Sequence, residues 1–368
     1  MNISNYRKLF PVVSKVIFLN NAAESPMNLR VYEALEDYSN LALNEPQNKK
    51  SPRSAIRERL ATLFGGEISD YALVTSTGVG VGLVAQGFPW VAGDNIVVPA
   101  AEHWNNTFPW LALKSKGIEV RFVYPDDNER VKPEDFEKLI DNRTKIVACA
   151  AVRFNTGFRA DLKSISSLAH KVGALFFVDG IQGAGVFEMN VIDLGIDIMS
   201  AAGFKWLLGL PGSGFLYINE KSRKLINPIL PGMFAAENIY TELKYFEDAR
   251  RYETGTIGYS LFHAWIAGLD LLIEIGVQNI HNRVIALTDI IVKGLKSRNY
   301  KIYSPIENIN ERSGIISFST GNESSNSALV NKLAAKNIIV ALRDGRIRVS
   351  PNFYNNEEEI EKFLENLD

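Results

Sequence analysis

One cysteine, four histidines and almost no net charge are what the 368-residue chain shows first. The lone Cys149 excludes an intramolecular disulfide and any cysteine-rich metal site. His103, His170, His263 and His281 show no metal-ligand spacing, so no metal is expected. Forty basic against 42 acidic side chains leave a formal charge of −2, which offers no general attraction to nucleic acid or to an anionic membrane. No unbroken apolar run is long enough to span a bilayer, and the opening residues Met1 to Lys8 lack the apolar stretch of a secretory signal. A soluble, cytoplasmic protein is the expectation. The one basic cluster, Lys49, Lys50, Arg53, Arg57 and Arg59, is read as a solvated loop and helix face. With 46% hydrophobic and 22% charged residues the composition is globular, which excludes disorder and low-complexity architecture.

What is present is alternation. Short apolar runs at 71–74, 95–99, 120–123, 145–152 and 174–178 are continuous rather than two-periodic, the mark of strands covered on both faces. Helical patterns at 132–140 and 162–172 lie between them, so the class is α/β with a mostly parallel sheet wrapped by helices. A late strand over 214–218 is entered through a glycine turn. From 260 the pattern changes to two long helices, 260–275 and 276–295, then to strands at 315–319, 338–342 and 347–350 and a closing helix over 357–367. A large unit over 16–255 and a smaller α+β unit over 256–368, with residues 1–15 packed on it, are expected.

Several residue types stand where chemistry uses them. The hydroxyls of Thr75, Ser76 and Thr77 follow a strand and precede a helix that begins near Gly78. That arrangement suits a phosphate, or serves as a plain helix cap. The glycines that follow do not meet the dinucleotide spacing in the right place, and no Walker lysine is present. Asp179 ends an apolar strand, where α/β sheets place site residues, although an acid there also caps turns. Lys205 sits inside Gly203-Phe204-Lys205-Trp206-Leu207-Leu208-Gly209. An amine desolvated in such surroundings loses basicity and becomes free for carbonyl attack, unless it snorkels to water. His103, after a strand, is either a ring-stacking or proton-shuttling imidazole or a loop residue. Arg346 and Arg348 share a strand face, and the Arg348 fork suits a carboxylate. The other three histidines are read as ordinary helix residues.

In order and spacing these pieces resemble the class V aminotransferases, fold type I pyridoxal-phosphate (PLP) enzymes that include cysteine desulfurases and isopenicillin-N-epimerase-like and kynureninase-like proteins. The resemblance is carried by Phe18-Leu19-Asn20-Asn21-Ala22-Ala23, Glu102-His103, Val178-Asp179-Gly180-Ile181-Gln182-Gly183, the Lys205 segment, Arg251-Tyr252-Glu253-Thr254-Gly255-Thr256 and the run from Ile347 to Asn355. It implies a seven-stranded type of large-domain sheet and a homodimer with shared active sites. It implies that Lys205 carries the cofactor in Schiff-base linkage and moves the proton at substrate Cα, that Asp179 pairs with the pyridinium nitrogen, and that His103 stacks on the ring. It assigns Gln182 to the phenolic oxygen, Ser76, Thr77 and Gly78 to the phosphate, and Thr256 to a phosphate contact from the neighbouring subunit. Asn155 joins the cofactor set, and Arg348 with Asn21 meets the substrate.

Two departures bear on the reaction. Desulfurases of this family usually carry Ser-x-His before the lysine, where Ala202-Gly203-Phe204 stands here. The only thiol lies in an apolar strand, where it is inert, so sulfur transfer through a persulfide is disfavoured. Transamination of an amino acid is therefore the first expectation. The alternatives are an epimerase or racemase, a cysteine lyase or desulfurase-like enzyme, and a PLP-fold binding protein without turnover.

Overall fold

Alternate residues of each long strand face two different cores. In Thr144–Ala150, Val147 and Cys149 enter one apolar cluster while Ile146 and Ala148 enter another; in Leu175–Asp179, Phe176 and Val178 oppose Leu175 and Phe177. Both faces are buried, which is why these segments read as continuous apolar runs. The computed structural model describes residues 3–237 and 239–367. The strands in chain order are β1 (Ile17–Phe18), β2 (Tyr71–Val74), β3 (Asn95–Pro99), β4 (Glu119–Val123), β5 (Thr144–Ala150), β6 (Leu175–Asp179), β7 (Ile198–Ala202) and β8 (Gly214–Ile218). After them come β9 (Lys301–Ile302), β10 (Ile316–Ser319), β11 (Ile338–Ile339), β12 (Ala341–Arg343) and β13 (Arg346–Val349).

Seven strands form the central sheet in the order β2-β8-β7-β6-β5-β3-β4, with β8 alone antiparallel to its neighbours. The chain runs outward from β3 to β4 and returns past β3 to β5, so the strand order switches between β3 and β5. Ligands of open α/β sheets bind beyond the carboxyl ends at such a switch. A smaller antiparallel sheet, β12-β13-β10-β9, packs its inner face with the helices Val277–Ser297 and Glu357–Glu365. The helix Tyr259–Ile275 packs on the helices Leu29–Asn44 and Arg53–Phe64.

Differences from the sequence-based expectations have local causes. The strand β7 was not foreseen, because its Ser200, Ala201 and Ala202 have little intrinsic strand preference; two flanking strands impose it. The run 338–342 divides at Val340, its first part pairing with β1 and its second with β13. The helix over 132–140 is confined to Pro133–Glu137.

The basic cluster is the clearest correction. Arg53 and Arg57 are buried, and both bind Glu253, itself buried, across about 200 residues of chain. Glu253 also accepts the Leu73 backbone N–H at 2.8 Å, and Arg57 Nε donates to the Tyr71 carbonyl at 3.0 Å. The two arginines thus fasten their helix to β2 instead of facing solvent. Glu253→Gln keeps the volume and strands two buried guanidinium groups without a counter-charge. A loss of about 3–5 kcal/mol is expected in urea unfolding, and a change below about 1 kcal/mol would show the cluster to be energetically idle.

Candidate active site

The carboxyl ends of β3, β5, β6 and β7 deliver their following residues to one cavity. It is lined by Glu102 and His103 after β3, Val152 and Phe154 after β5, Asp179 and Gln182 from β6, and Ala202, Phe204 and Lys205 from β7. Ser76, Thr77 and Asn105 close its remaining side. A larger cavity of about 490 Å³, on the other side of Val152, holds none of the expected site residues.

Lys205 is held on a loop with little freedom. Gly203 N–H donates to the Ser213 carbonyl at 2.7 Å, Gly209 N–H to the Gly203 carbonyl at 2.8 Å, and the Phe204 carbonyl accepts from Ser25 N–H at 3.0 Å. Trp265 fills the space beside this loop: a methyl at Gly203 would come within 2.8 Å of its ring, and one at Gly209 within 2.5 Å. Its Nε1 donates to the Leu207 carbonyl at 3.0 Å. Leu208 completes the turn at φ 57°, a left-handed conformation costly for a leucine and tolerated because its neighbours over-determine it.

The lysine is 8% exposed, and burial pushes its pKa down; the Arg348 and Arg343 charges push the same way against the opposing pull of Asp179. Asp179 is 2% exposed, and burial raises its pKa. One of its oxygens accepts from Ile181 N–H at 3.0 Å. The two charges line one cavity, yet Lys205 makes no ion pair within 4.0 Å among the described residues. An acid and an amine held apart in one pocket leave room for a group between them.

The wall residues are fixed by bonds of their own. Gln182 donates to the Ala22 carbonyl at 2.9 Å and accepts from Trp206 Nε1 at 2.9 Å, which leaves one amide hydrogen for a ligand. His103 Nδ1 accepts from Asn105 N–H at 3.2 Å, and its ring stands edge-on to Phe154 with centroids 5.4 Å apart. Burial, together with the Lys205, Arg343 and Arg348 charges, depresses its pKa and favours the neutral imidazole. At the helix Thr77–Gly87, Ser76 caps Val79 N–H at 3.2 Å and Thr77 Oγ1 accepts from Ala202 N–H at 3.0 Å. A side chain at Gly78 would press on Asn105, at 3.1 Å from its nearest atom.

Arg348 is 2% exposed. Its NH1 donates to the Phe154 carbonyl at 2.7 Å, while Nε and NH2 have no partner. Unpaired guanidinium nitrogens at that depth are expensive, and a bidentate carboxylate would satisfy them.

Other expected residues lie elsewhere. Asn21 is buried and spends its amide on the Ser350 carbonyl, at 2.9 Å, and on the Tyr354 hydroxyl, tying the early chain to the end of β13. Asn155 donates to Asp344 at 2.7 Å and accepts from Thr156 N–H, so it pins the β12–β13 hairpin. Thr256 is exposed on the wall of a different depression, with Thr254 and Gly255. Sequence reasoning gave no role to Asn105 or Phe154, which carry no family signature. Glu102 was seen only as the neighbour of His103.

The aminotransferase class-V family model matches residues 17–363. The chain belongs to that family. It is 26% identical over its whole length to a probable cysteine desulfurase of Methanothermobacter thermautotrophicus, covering 98% of that protein. It is 28% identical to the uncharacterized aminotransferase YcbU of Bacillus subtilis, with 98% of this chain and 96% of the relative aligned. Among solved structures, a cysteine desulfurase of Thermococcus onnurineus superimposes with a TM-score of 0.90 at 26% identity, covering 98% and 96% of the two chains. The fold is thus the fold type I architecture.

PLP is the cofactor of the family, and the donor set fits it. A buried acid, a buried amine, a flat imidazole and a helix N-terminus with hydroxyls and free N–H groups are the partners that its pyridine nitrogen, aldehyde, ring face and phosphate require.

Glu102 offers a separate test. Its Oε1 accepts from Ala150 N–H at 3.1 Å, and burial lifts its pKa from the usual 4.5 to about 7, with Asp179 adding to the rise. A carboxyl that binds its proton more tightly folded than unfolded stabilises the fold fully below pH 4.5, and that gain is lost as the pH rises through about 7. Wild-type stability should therefore fall by on the order of 2–3 kcal/mol across this window relative to Glu102→Gln. Parallel pH profiles of urea unfolding for the two proteins would contradict it.

Proposed function

We propose that the protein is a PLP-dependent aminotransferase acting on an α-amino acid. The observation that carries this reading is the pairing of a buried, weakly basic Lys205 with a separated buried Asp179 in one cavity, close to an Arg348 with two unpartnered nitrogens. When bound, PLP supplies an aldehyde that condenses with amines and a ring that accepts the electron pair released at Cα.

The chain's own residues do the rest. Arg348 would hold the α-carboxylate through Nε and NH2 and so orient the bonds at Cα. The lowered pKa of Lys205 makes its neutral amine accessible near neutral pH, where it takes the Cα proton and redelivers it. Asp179 would hold a proton at the ring nitrogen of the cofactor, and the neutral, flat imidazole of His103 would lie against its ring. Phe154, Phe204 and Val152 exclude water.

The thiol argues for transamination over sulfur transfer. Cys149 is buried inside β5, and burial raises its pKa well above the ordinary thiol range. It is the only cysteine in the chain, so a mobile thiolate to receive sulfur from a substrate is missing. We also propose a homodimer. Thr256 is exposed and outside its own cavity, and Leu230, Met233, Tyr240 and Leu243 expose apolar surface on the segment before it. Light scattering on the purified protein should give twice the chain mass of 41.0 kDa; a monomer would refute the shared site.

With PLP-loaded protein, α-deuterated amino acids should lose their label and yield the matching keto acids. Lys205→Ala should slow this exchange by about 10²–10⁴-fold, and Arg348→Gln should raise KM by about 10- to 100-fold. Exchange without keto-acid formation would point to a racemase. Sulfide release from cysteine would point to a lyase, and failure of every substrate to exchange would leave a binding protein.

A further inference from the structure

Three arginines stand on one face of a single hairpin. In the β12–β13 ladder Ala341 pairs with Arg348, Leu342 with Ile347 and Arg343 with Arg346. Directly paired residues of an antiparallel ladder share a face, and the face alternates along the strand. Arg343, Arg346 and Arg348 therefore project from the same side, while Ile347 enters the core of the smaller unit. The turn between them is Asp344-Gly345, both at positive φ (48° and 71°), the tight connection that fixes such a register.

The three are not equivalent. Arg346 is neutralised, with NH2 at 2.8 Å from Glu129 Oε1 and its guanidinium 3.7 Å from the Tyr303 ring centroid. Arg348 is buried behind Phe154, a residue of the cavity wall whose carbonyl it holds, and two of its nitrogens have no partner. Arg343 is exposed, and the one hydrogen bond of its side chain among the described residues is from NH1 to the carbonyl of the preceding residue at 2.7 Å. It makes no ion pair with any acid among the described residues.

Asp344, the nearest acid in sequence, is already engaged by Asn155, and that contact with the Glu129–Arg346 pair clamps the hairpin to the large unit. Arg343 is thus held where its charge reaches His103, Lys205 and Arg348, each of whose proton affinities it lowers. A cation so placed, beside a carboxylate anchor and without a carboxylate of its own, is built for a second negative group on the bound molecule.

We propose that Arg343 is a specificity residue and that the enzyme takes an α-amino acid with a short anionic side chain, carboxylate or sulfinate, the α-carboxylate on Arg348 and the distal anion on Arg343. This rests on the amino-acid reading above. That reading names the reaction, and the present one names the side chain.

The test compares aspartate, glutamate and cysteine sulfinate with alanine and asparagine on PLP-loaded protein. The ratio of kcat/KM for the best acidic substrate over alanine should exceed about 10 and should fall by about 10- to 100-fold in Arg343→Gln. Arg343→Lys should keep a good part of it, which separates loss of charge from loss of fold. Aspartate ahead of cysteine sulfinate would mark a carboxylate as the distal group, and the reverse order a sulfinate. Binding gives a readout independent of turnover. Succinate should bind the loaded protein more tightly than butyrate by calorimetry, and Arg343→Gln should remove the difference. A preference for neutral substrates, an acidic-to-neutral ratio unmoved by Arg343→Gln, or equal binding of succinate and butyrate would overturn the proposal. No exchange with any amino acid, alongside Arg343-dependent succinate binding, would instead overturn the aminotransferase reading and leave this site standing.

Discussion

Placing an amine in a cavity lined by Phe204, Phe154 and Ala202 without a hydrogen-bonded counter-charge is among the costlier choices a folded chain can make. Lys205 is held there by a loop it does not itself stabilise. The glycine, tryptophan and backbone contacts around residues 203–209 fix the loop whether or not the lysine is content. The strain is then expressed as chemistry: a group that cannot comfortably keep its proton is a group that can share one. Asp179 is in the reciprocal position, a carboxylate whose burial makes its charge uncomfortable. A cofactor carrying both an aldehyde and a basic ring nitrogen relieves both at once.

Everything else near the site serves to keep those two groups apart and aimed. Trp206 does not touch the chemistry, but it sets Gln182, which reaches in turn to the early chain at Ala22. Asn21, expected at the substrate, belongs to this scaffold: it joins the start of the chain to the strand that carries Arg348. Asn155 and Glu129 do the same from the large unit, through Asp344 and Arg346. Arg348, the proposed carboxylate anchor, is thus positioned by polar contacts from both parts of the molecule. Such contacts fix an angle better than apolar packing does, because each has a direction.

How much of this was legible depends on the range of the interaction. The sheet was readable from its runs, since burial on both faces leaves a local trace in each strand. Lys205, Asp179, His103 and the Ser76–Gly78 turn were readable because each sits at a strand end, a local address. The Arg53–Arg57–Glu253 cluster was not. Its two cationic residues look like a solvated helix face until Glu253, 196 residues beyond Arg57, is brought beneath them. The roles of Asn21 and Asn155 were hidden for the same reason, their partners lying 329 and 189 residues away. Arg346 and Arg348 could be put on one face by counting, but adding Arg343 to that face required the hairpin register, which only pairing supplies.

Charge completes the picture. Lys205, Arg343 and Arg348 contribute cations to one small region, and the first turn of the helix Thr77–Gly87 adds the partial positive charge of its free N–H groups. Against them stand Asp179 and Glu102, and burial pushes both carboxyls toward their protonated, uncharged forms. A region with that imbalance is incomplete as it stands, because like charges at short range in a poorly screened pocket repel. In the proposed reading, a phosphate at the helix end and a carboxylate on Arg348 would bring the negative charge that offsets these cations. Binding of anions is therefore the step that makes the site electrostatically whole. It also draws the lysine toward its proton, so the basicity of Lys205 should depend on which of those anions is in place.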